Sequence, residues 1–547
     1  LSPTDLRIVD EATSAAHVAA GWWDERALAS VVARHARERP AALAFITPTA
    51  TCTWLEYDVR STSLAEDLVA LGLARGARVA VLVPDGAEVH VAYLACEKAG
   101  LTVVGLGTRT GDKEVAHLLR RTEARVVITG PEQQGRPAAA WIADLRAADV
   151  PVDHHLVVEE PTPGTPLLRP SGDTLEGRAL GPNDLFLVNS TSGTTGMPKC
   201  VLQHQNRWFY FHRKAVEAGR LGPDDRFMSV VPAPFGFGIW TAHVTPTLLG
   251  APTVLVPRFD AGQAVALAAE HGVTVLACVS TQFILMLGSG AIEHADLREL
   301  RVVFSGGEAV PRVQATAFEE QTGALMLQFF GSNETGALSV TTVDDDADAR
   351  LGSSGHVIPE MQVRLFDDEG ADITTTGGPG QPAGRGPATC VGYLEEEANR
   401  ELFTPDGWML MADLVTIDEQ GLLRVVGRKT DLIIRGGKNI SAAEVEAEVG
   451  THPSVRTVAA VAVEDPVFGE RTCAVVSLRD GSTLALGELV EHLTARGAGK
   501  HLFPEHLLVV HELPAAPGGK VAKAEVRRLA ADAARLGTTE TAVASRP

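Results

Sequence analysis

The sequence predicts an α/β fold, with a large N-terminal unit of several helix-covered sheets followed by a small α+β C-terminal unit. Three observations predict it. Apolar runs of strand length alternate with helical stretches through the first half, which is the order of βαβ units and gives parallel sheets. At 377–386 (GGPGQPAGRG) the composition changes, and Gly and Pro become so dense that a loop is expected in place of regular structure. After Gly427 the pattern shortens into a self-contained α+β module of roughly 115 residues, an ordinary domain size.

Taken in order, 79–83 (VAVLV) is a short apolar strand closed by the turn Pro84-Asp85-Gly86 and followed by a helix over 88–98. Strand 102–104, helix 112–122 and strand 124–129 repeat the unit. The same rhythm returns as strand 251–256, helix 262–271, strand 273–277, helix 282–287 and strand 302–304. Around the expected loop, 363–366 and 422–426 read as strands joined by turns. The C-terminal module reads as helix 442–449, strands 458–463 and 473–478, helix 486–496, strand 507–510 and helix 521–534. No internal repeat is present, and the ends, 1–19 and 537–547, are expected to be loose.

Across 547 residues, 48 Lys and Arg face 69 Asp and Glu, a net charge of −21. Such a surface repels a phosphate backbone, so nucleic acid and anionic membrane are excluded as partners of the bulk surface, and an anionic ligand has to be held locally. No apolar stretch approaches the roughly 18 residues of a membrane span, and 1–10 lacks a basic segment followed by an apolar one, so a cytoplasmic protein is expected. Six cysteines, scattered without a CxxC pair, read as reduced buried thiols.

The strongest local signal is STSGTTGMPK (190–199), which follows the apolar strand 185–188. Hydroxyls, glycine backbone and the charge of Lys199 together form a phosphate cradle. It is not a Walker A loop, because Met197 and Pro198 stand where that pattern needs Gly-Lys. In QFFGSNETG (328–336), Glu334 lies past a Gly turn after a short apolar run, a position that suits either a Mg²⁺-binding carboxylate or a solvated turn. A third loop, SGGEA (305–309), lets backbone approach a planar ligand.

Together with Asp413 in MAD, GRKTD (427–431), RGGKNISAAEVE (435–446) and GGKVAK (518–523), these segments form an ordered series along nearly the whole chain. The series resembles the adenylate-forming superfamily of acyl-CoA synthetases, stand-alone adenylation domains and luciferases. The resemblance implies an N-terminal adenylation domain over 1–427, a hinge at 428–430 and a mobile C-terminal lid over 431–547. It implies ATP, Mg²⁺ and CoA, and a carboxylate that attacks the α-phosphorus before a thiol displaces AMP. By the same resemblance Thr191, Ser192, Gly193, Thr194, Thr195, Gly196 and Lys199 would cradle the phosphates, and Glu334 would hold Mg²⁺. Gly307, Glu308 and Ala309 would lie against adenine, and Asp413 and Arg428 would bind the ribose. Lys520 would reach the reacting carboxylate, Thr430 would be the pivot, and Gly437 would line the thiol tunnel.

Four positions depart from the family pattern. Asn333 stands where Thr is usual, Met411-Ala412 where Thr-Gly is usual, and Cys200 where Gly is usual. By resemblance the acid pocket is lined by Phe235, Gly236, Phe237, Gly238 and Trp240, with Gly331 nearby. The rings suit an apolar, cyclic or aromatic acid, although ordinary core packing accounts for them equally well. No carboxylate in that segment awaits an amino group. The leading expectation is therefore an AMP-forming acid–CoA ligase, a monomer or homodimer. The alternatives are an aryl-acid adenylation enzyme that loads a carrier protein, and a relative that activates nitrite to diazotise an arylamine. A degenerate ATP-binding protein is disfavoured, because Lys199, Glu334, Asp413, Arg428 and Lys520 are all present.

Overall fold

The computed structural model describes residues 9–162, 166–168, 170–190, 197–307, 310–435, 438–516 and 519–536. Two large sheets dominate. One has six strands, in the order Cys200–His204, Leu185–Ser190, Thr102–Gly105, Arg78–Leu82, Val126–Thr129 and His154–Val157. All its pairs are parallel except the first, where Cys200 faces Ser190. The other has nine strands among the described residues: His356–Val357, Gly336–Val340, Leu325–Ser332, Val302–Gly306, Val275–Cys278, Phe227–Ser229, Thr253–Leu255, Leu43–Ile46 and Thr51–Thr53. Its interior pairs are parallel and its outer pairs antiparallel. The βαβ rhythm thus yields the expected helix-covered parallel sheets, with hairpins closing the edges.

The two sheets share one core through the helices between them. Helix Ala87–Ala99 is buried at every residue except Glu88. Its buried residues include His90, Glu97 and Lys98 beside the apolar ones, and Lys98 Nζ donates to Asp58 Oδ1 at 2.7 Å. Val79 and Val81 of the six-stranded sheet and Phe45, Phe227, Val275 and Phe304 of the nine-stranded one belong to the same cluster. The helix ends at Gly100, whose φ is +73° and whose missing Cβ would lie 2.3 Å from the Arg178 carbonyl oxygen, so glycine is required there. Helix Asp112–Thr122 is amphipathic by contrast. It buries Val115, Leu118 and Leu119 against the outer face of the six-stranded sheet, beside Val104, Val127 and Trp141.

The expected loop at 377–386 instead contains strand Gln381–Arg385, paired on one side with Gln362–Phe366 and on the other with Met409–Leu410. Its glycines serve close packing, since a Cβ on Gly384 would lie 2.6 Å from Leu338 Cδ2. Pro382 is tolerated because Met411 N–H donates to its carbonyl oxygen, while the Met411 carbonyl takes the Gln381 side-chain amide at 2.7 Å in place of the N–H that proline lacks. The N-terminal segment is also more ordered than expected. Glu11–Ala19 is a helix capped by Asp10, and its Ser14 hydroxyl accepts from Asn183 Nδ2 at 2.6 Å.

The C-terminal module is a five-stranded sheet of Leu432–Arg435, Lys438–Ser441, Val455–Asp465, Gly469–Leu478 and His506–Val510. Helices Ala442–Val449, Leu486–Ala495 and Lys523–Arg535 cover it. Its two long strands extend beyond the predicted 458–463 and 473–478, because the polar ends Glu464, Asp465, Glu470 and Arg471 continue the ladder past the apolar core. Among the described residues no helix is long and apolar enough to cross a membrane.

Candidate active site

The expected groups converge on the ends of strands from both large sheets. Strand Leu185–Ser190 runs out toward 191–196 and returns as Cys200–His204. The cradle residues Thr191, Ser192, Gly193, Thr194, Thr195 and Gly196 lie outside the described residues, as do Glu308, Ala309 and Gly437. Lys199 is described. Its Nζ pairs with Glu401 at 3.2 Å and sits 5.2 Å over the ring of Tyr393. Both charges are well exposed, so this pair is weak and readily exchanged for another anion.

Strand Leu325–Ser332 ends in a turn that returns as Gly336–Val340. The turn is held by hydroxyls: Ser332 Oγ accepts from the N–H groups of Glu334 and Thr335, and Thr335 Oγ1 accepts from Ser332 N–H. Glu334 projects from it, and its Oε1 accepts from Tyr393 OH at 2.6 Å. Burial and the Glu334 charge raise the Tyr393 hydroxyl far above its ordinary value, so it stays a donor. Lys199, Tyr393 and Glu334 therefore form one row along the site.

Strands Asp413–Ile417 and Leu423–Arg428 pair antiparallel with Asp413 opposite Arg428, and Arg428 Nε donates to Asp413 Oδ1 at 3.1 Å. Burial pushes the Asp413 carboxyl upward, while Arg428 and Lys520 pull it back. Lys520, from the far end of the chain, donates from Nζ to the Gly307 carbonyl oxygen at 2.7 Å. Gly307 has φ +80°, and a Cβ there would lie 2.6 Å from that same Nζ. The geometry thus brings Gly307, Asp413, Arg428 and Lys520 together.

The expected acid segment is a short helix, Gly236–Gly238, that runs into a π-helix, Ile239–Val244. Such wide turns are frequent at functional sites. Trp240 is wholly buried, with its ring 4.9 Å from Phe304 and 5.4 Å from Phe211, and it belongs to the central core. Phe235 and Phe237 are half-buried. A Cβ on Gly238 would meet the Pro232 carbonyl oxygen at 2.2 Å, and one on Gly331 would meet that of Gly336 at 1.9 Å. Both glycines therefore make room for backbone. Only Gly236 has space, with Trp208 3.7 Å away.

Sequence reasoning missed the floor of the site. Asn189, Gln203 and Asn333 form an amide network in which Asn333 Oδ1 accepts from Asn189 Nδ2 and Gln203 Nε2, each at 3.1 Å. Arg207 lies beneath the Glu334 turn. The polar run 203–207, wedged between an apolar strand and the aromatics 208–211, was the available signal.

Against known proteins, a model of AMP-binding enzymes matches residues 32–394, and one of their C-terminal domain matches residues 444–520. The chain belongs to the AMP-binding enzyme family. This AMP-binding enzyme is 30% identical over 531 residues to the medium-chain fatty-acid–CoA ligase of Escherichia coli strain K12, covering 95% of this chain and 93% of the relative. It is 32% identical over 526 residues to a salicylyl-CoA synthase / salicylate adenylyltransferase of a Streptomyces species, covering 93% and 94%. ATP-bound MatB from Rhodopseudomonas palustris superposes with a TM-score of 0.77 at 26% identity, covering 92% and 99%. By family, then, this AMP-binding enzyme is an adenylate-forming acid ligase.

Proposed function

We propose that the protein activates a small apolar, cyclic or aromatic carboxylate with ATP and transfers the acyl group to CoA. In the first step a carboxylate oxygen attacks the α-phosphorus of ATP, forming the acyl-adenylate as the bond to pyrophosphate breaks. In the second the CoA sulfur attacks the acyl carbon, and the bond to AMP breaks. The observation that carries this reading is Lys520 reaching from the C-terminal module to Gly307, beside Asp413 and Arg428. A cation at that mouth offsets the repulsion between carboxylate and polyphosphate where charge builds up.

In this reading Thr191 to Gly196 and Lys199 hold the phosphates, Asp413 and Arg428 hold the ribose hydroxyls, and Gly307 to Ala309 lie along adenine. Glu334 fits Mg²⁺ that arrives with ATP: it offers a carboxylate with one oxygen held by Tyr393, and the described residues contain no cluster of three ligands that would cage a resident ion. When bound, Mg²⁺ neutralises phosphate charge. Phe235 and Phe237 wall the acid, with Gly236 leaving space beside Trp208. The domains are 1–427 and 431–547, turning about 428–430 between half-reactions, with Gly437 on the thiol path.

CoA as acceptor is supported by the names of the two relatives, one a fatty-acid–CoA ligase and one a salicylyl-CoA synthase. The test is a panel of medium-chain, cyclic and aromatic acids with ATP, Mg²⁺ and CoA, following AMP release and the mass of the thioester. A thioester from at least one acid is expected. If a carrier protein accepts the acyl group and CoA does not, the acceptor is wrong. If AMP forms only with nitrite and an aminoaryl compound, the ligase reading falls.

A further inference from the structure

Arg207 breaks two rules at once. It stands in the first turn of helix Gln205–Gly219, the end where the helix dipole disfavours a cation, and its side chain is almost completely buried. Among the described residues no carboxylate pairs with it. Oxygen dipoles solvate it instead. Nε donates to the Ala388 carbonyl at 2.9 Å, one terminal nitrogen to the Asn333 carbonyl at 2.8 Å and to Gln203 Oε1, and the other to the Glu334 carbonyl at 3.3 Å. Gln203 then donates to Asn189 and Asn333, and Asn333 Nδ2 closes the ring on Asn189 Oδ1 at 2.9 Å. Asn189 stands on the strand that leads into 191–196 and also donates to the Pro234 carbonyl at 3.3 Å. A threonine at 333 would have to accept and donate from a single oxygen, whereas the amide accepts at Oδ1 and donates from the separate Nδ2. This gives the departure at Asn333 a physical reason: it is a partner of Gln203 and Asn189.

Local rules broken together are expected at functional or strained sites. We propose that Arg207 is a positioning residue for the MgATP polyphosphate. It fixes the Glu334 turn by its carbonyls, couples that turn through Gln203 and Asn333 to the strand that enters the phosphate loop, and sets a permanent positive charge beneath both. In a chain of net charge −21, that buried cation supplies local attraction that the surface does not. The inference rests on the reading of Glu334 and 191–199 as the MgATP site.

The test is equilibrium titration of the full chain with MgATP and, separately, with adenosine, which carries no phosphate. Arg207→Met is expected to raise the Kd for MgATP by about tenfold or more and to leave that for adenosine within about twofold, as loss of hydrogen bonds to a charged group predicts. Arg207→Lys keeps the charge and is expected to bind MgATP at least about threefold more tightly than Arg207→Met. If Arg207→Met loses its cooperative melt, Asn333→Ala serves in its place and should weaken MgATP about threefold or more with adenosine unchanged. A folded Arg207→Met that binds MgATP like the parent overturns the proposal, as does an equal loss for adenosine, or Arg207→Lys matching Arg207→Met. An unsubstituted protein that binds no MgATP overturns the underlying reading instead.

Discussion

Lys520 Nζ donates to the Gly307 carbonyl oxygen at 2.7 Å, so the C-terminal module presents a cation at the end of strand Val302–Gly306. In the proposed adenylation step that carbonyl is a placeholder for the oxygens of the reacting carboxylate and the α-phosphate. Lys520→Ala is therefore expected to slow adenylate formation by about a thousandfold or more while MgATP still binds. Exchange of labelled pyrophosphate into ATP reads the first step alone. Exchange at near-parental rate would remove Lys520 from the mechanism.

Asp413 and Arg428 hold each other at 3.1 Å, with the carboxyl deep and the guanidinium half in solvent. Asp413→Ala removes the buried member and leaves Arg428 to water, so the KM for ATP should rise by about tenfold or more. Turnover at saturating ATP should change much less, because ribose contacts are made equally in the ground and transition states. If kcat falls as far as kcat/KM with KM unchanged, Asp413 is not a ribose ligand.

Thr430 lies in the short 3-10 turn Lys429–Asp431 between the last strand of the large unit and the first of the small one. Thr430→Pro fixes φ near its pre-set value and should hinder rotation there. Thioester formation is expected to fall further than pyrophosphate exchange. Equal loss of both would remove Thr430 as the pivot.

Asp85 is part-buried, its Oδ1 accepting from Ala233 N–H at 2.7 Å beside the acid segment. Burial pushes its carboxyl from 3.8 up to about 7, against the opposing pull of the Ala233 N–H and Arg109. Between those values the unfolded chain has released the proton while the folded chain keeps it. Stability contributed by this group thus falls as pH rises from 3.8 to about 7, and levels off above. Asp85→Asn keeps the acceptor oxygen and removes the titration. Its melting temperature should exceed the parent's at pH 8, by the equivalent of up to about 4 kcal/mol, and the gap should close toward pH 4. Glu97, also raised to about 7 by burial, acts identically in both proteins and cancels in the difference. A gap that does not change with pH would show that Asp85 is ionised when folded.

What the sequence made legible follows from how each element earns its stability. Strands such as Arg78–Leu82 and Val302–Gly306 are buried on both faces, so their apolar runs announce them. Gln381–Arg385 does not announce itself, because the gap left by Pro382 is filled by Gln381 bonding to Met411 and because Gly384 answers to Leu338 across the packing, and neither Met411 nor Leu338 lies nearby in sequence. Among the proposed site residues, Lys199, Glu334, Asp413, Arg428 and Lys520 stand in motifs whose order made them legible. Tyr393 and Arg207 carry no motif. They are tied to Glu334 only by the fold, 59 and 127 residues away along the chain.

Gln381 does more than mend the ladder at Pro382. Its Nε2 is committed to Met411, and its Oε1 accepts from Lys429 Nζ at 3.1 Å, while Lys429 N–H donates to Ala412. Lys429 is thereby clamped through both its backbone and its side chain to the large unit, with Asp368 as a further tether at 2.9 Å. In mechanical terms, Lys429 is the last fixed point of the mounting. Under the proposed turning about 428–430, these contacts would keep Lys429 with the large unit and leave Thr430 as the first residue free to turn, with Gln381 marking that boundary.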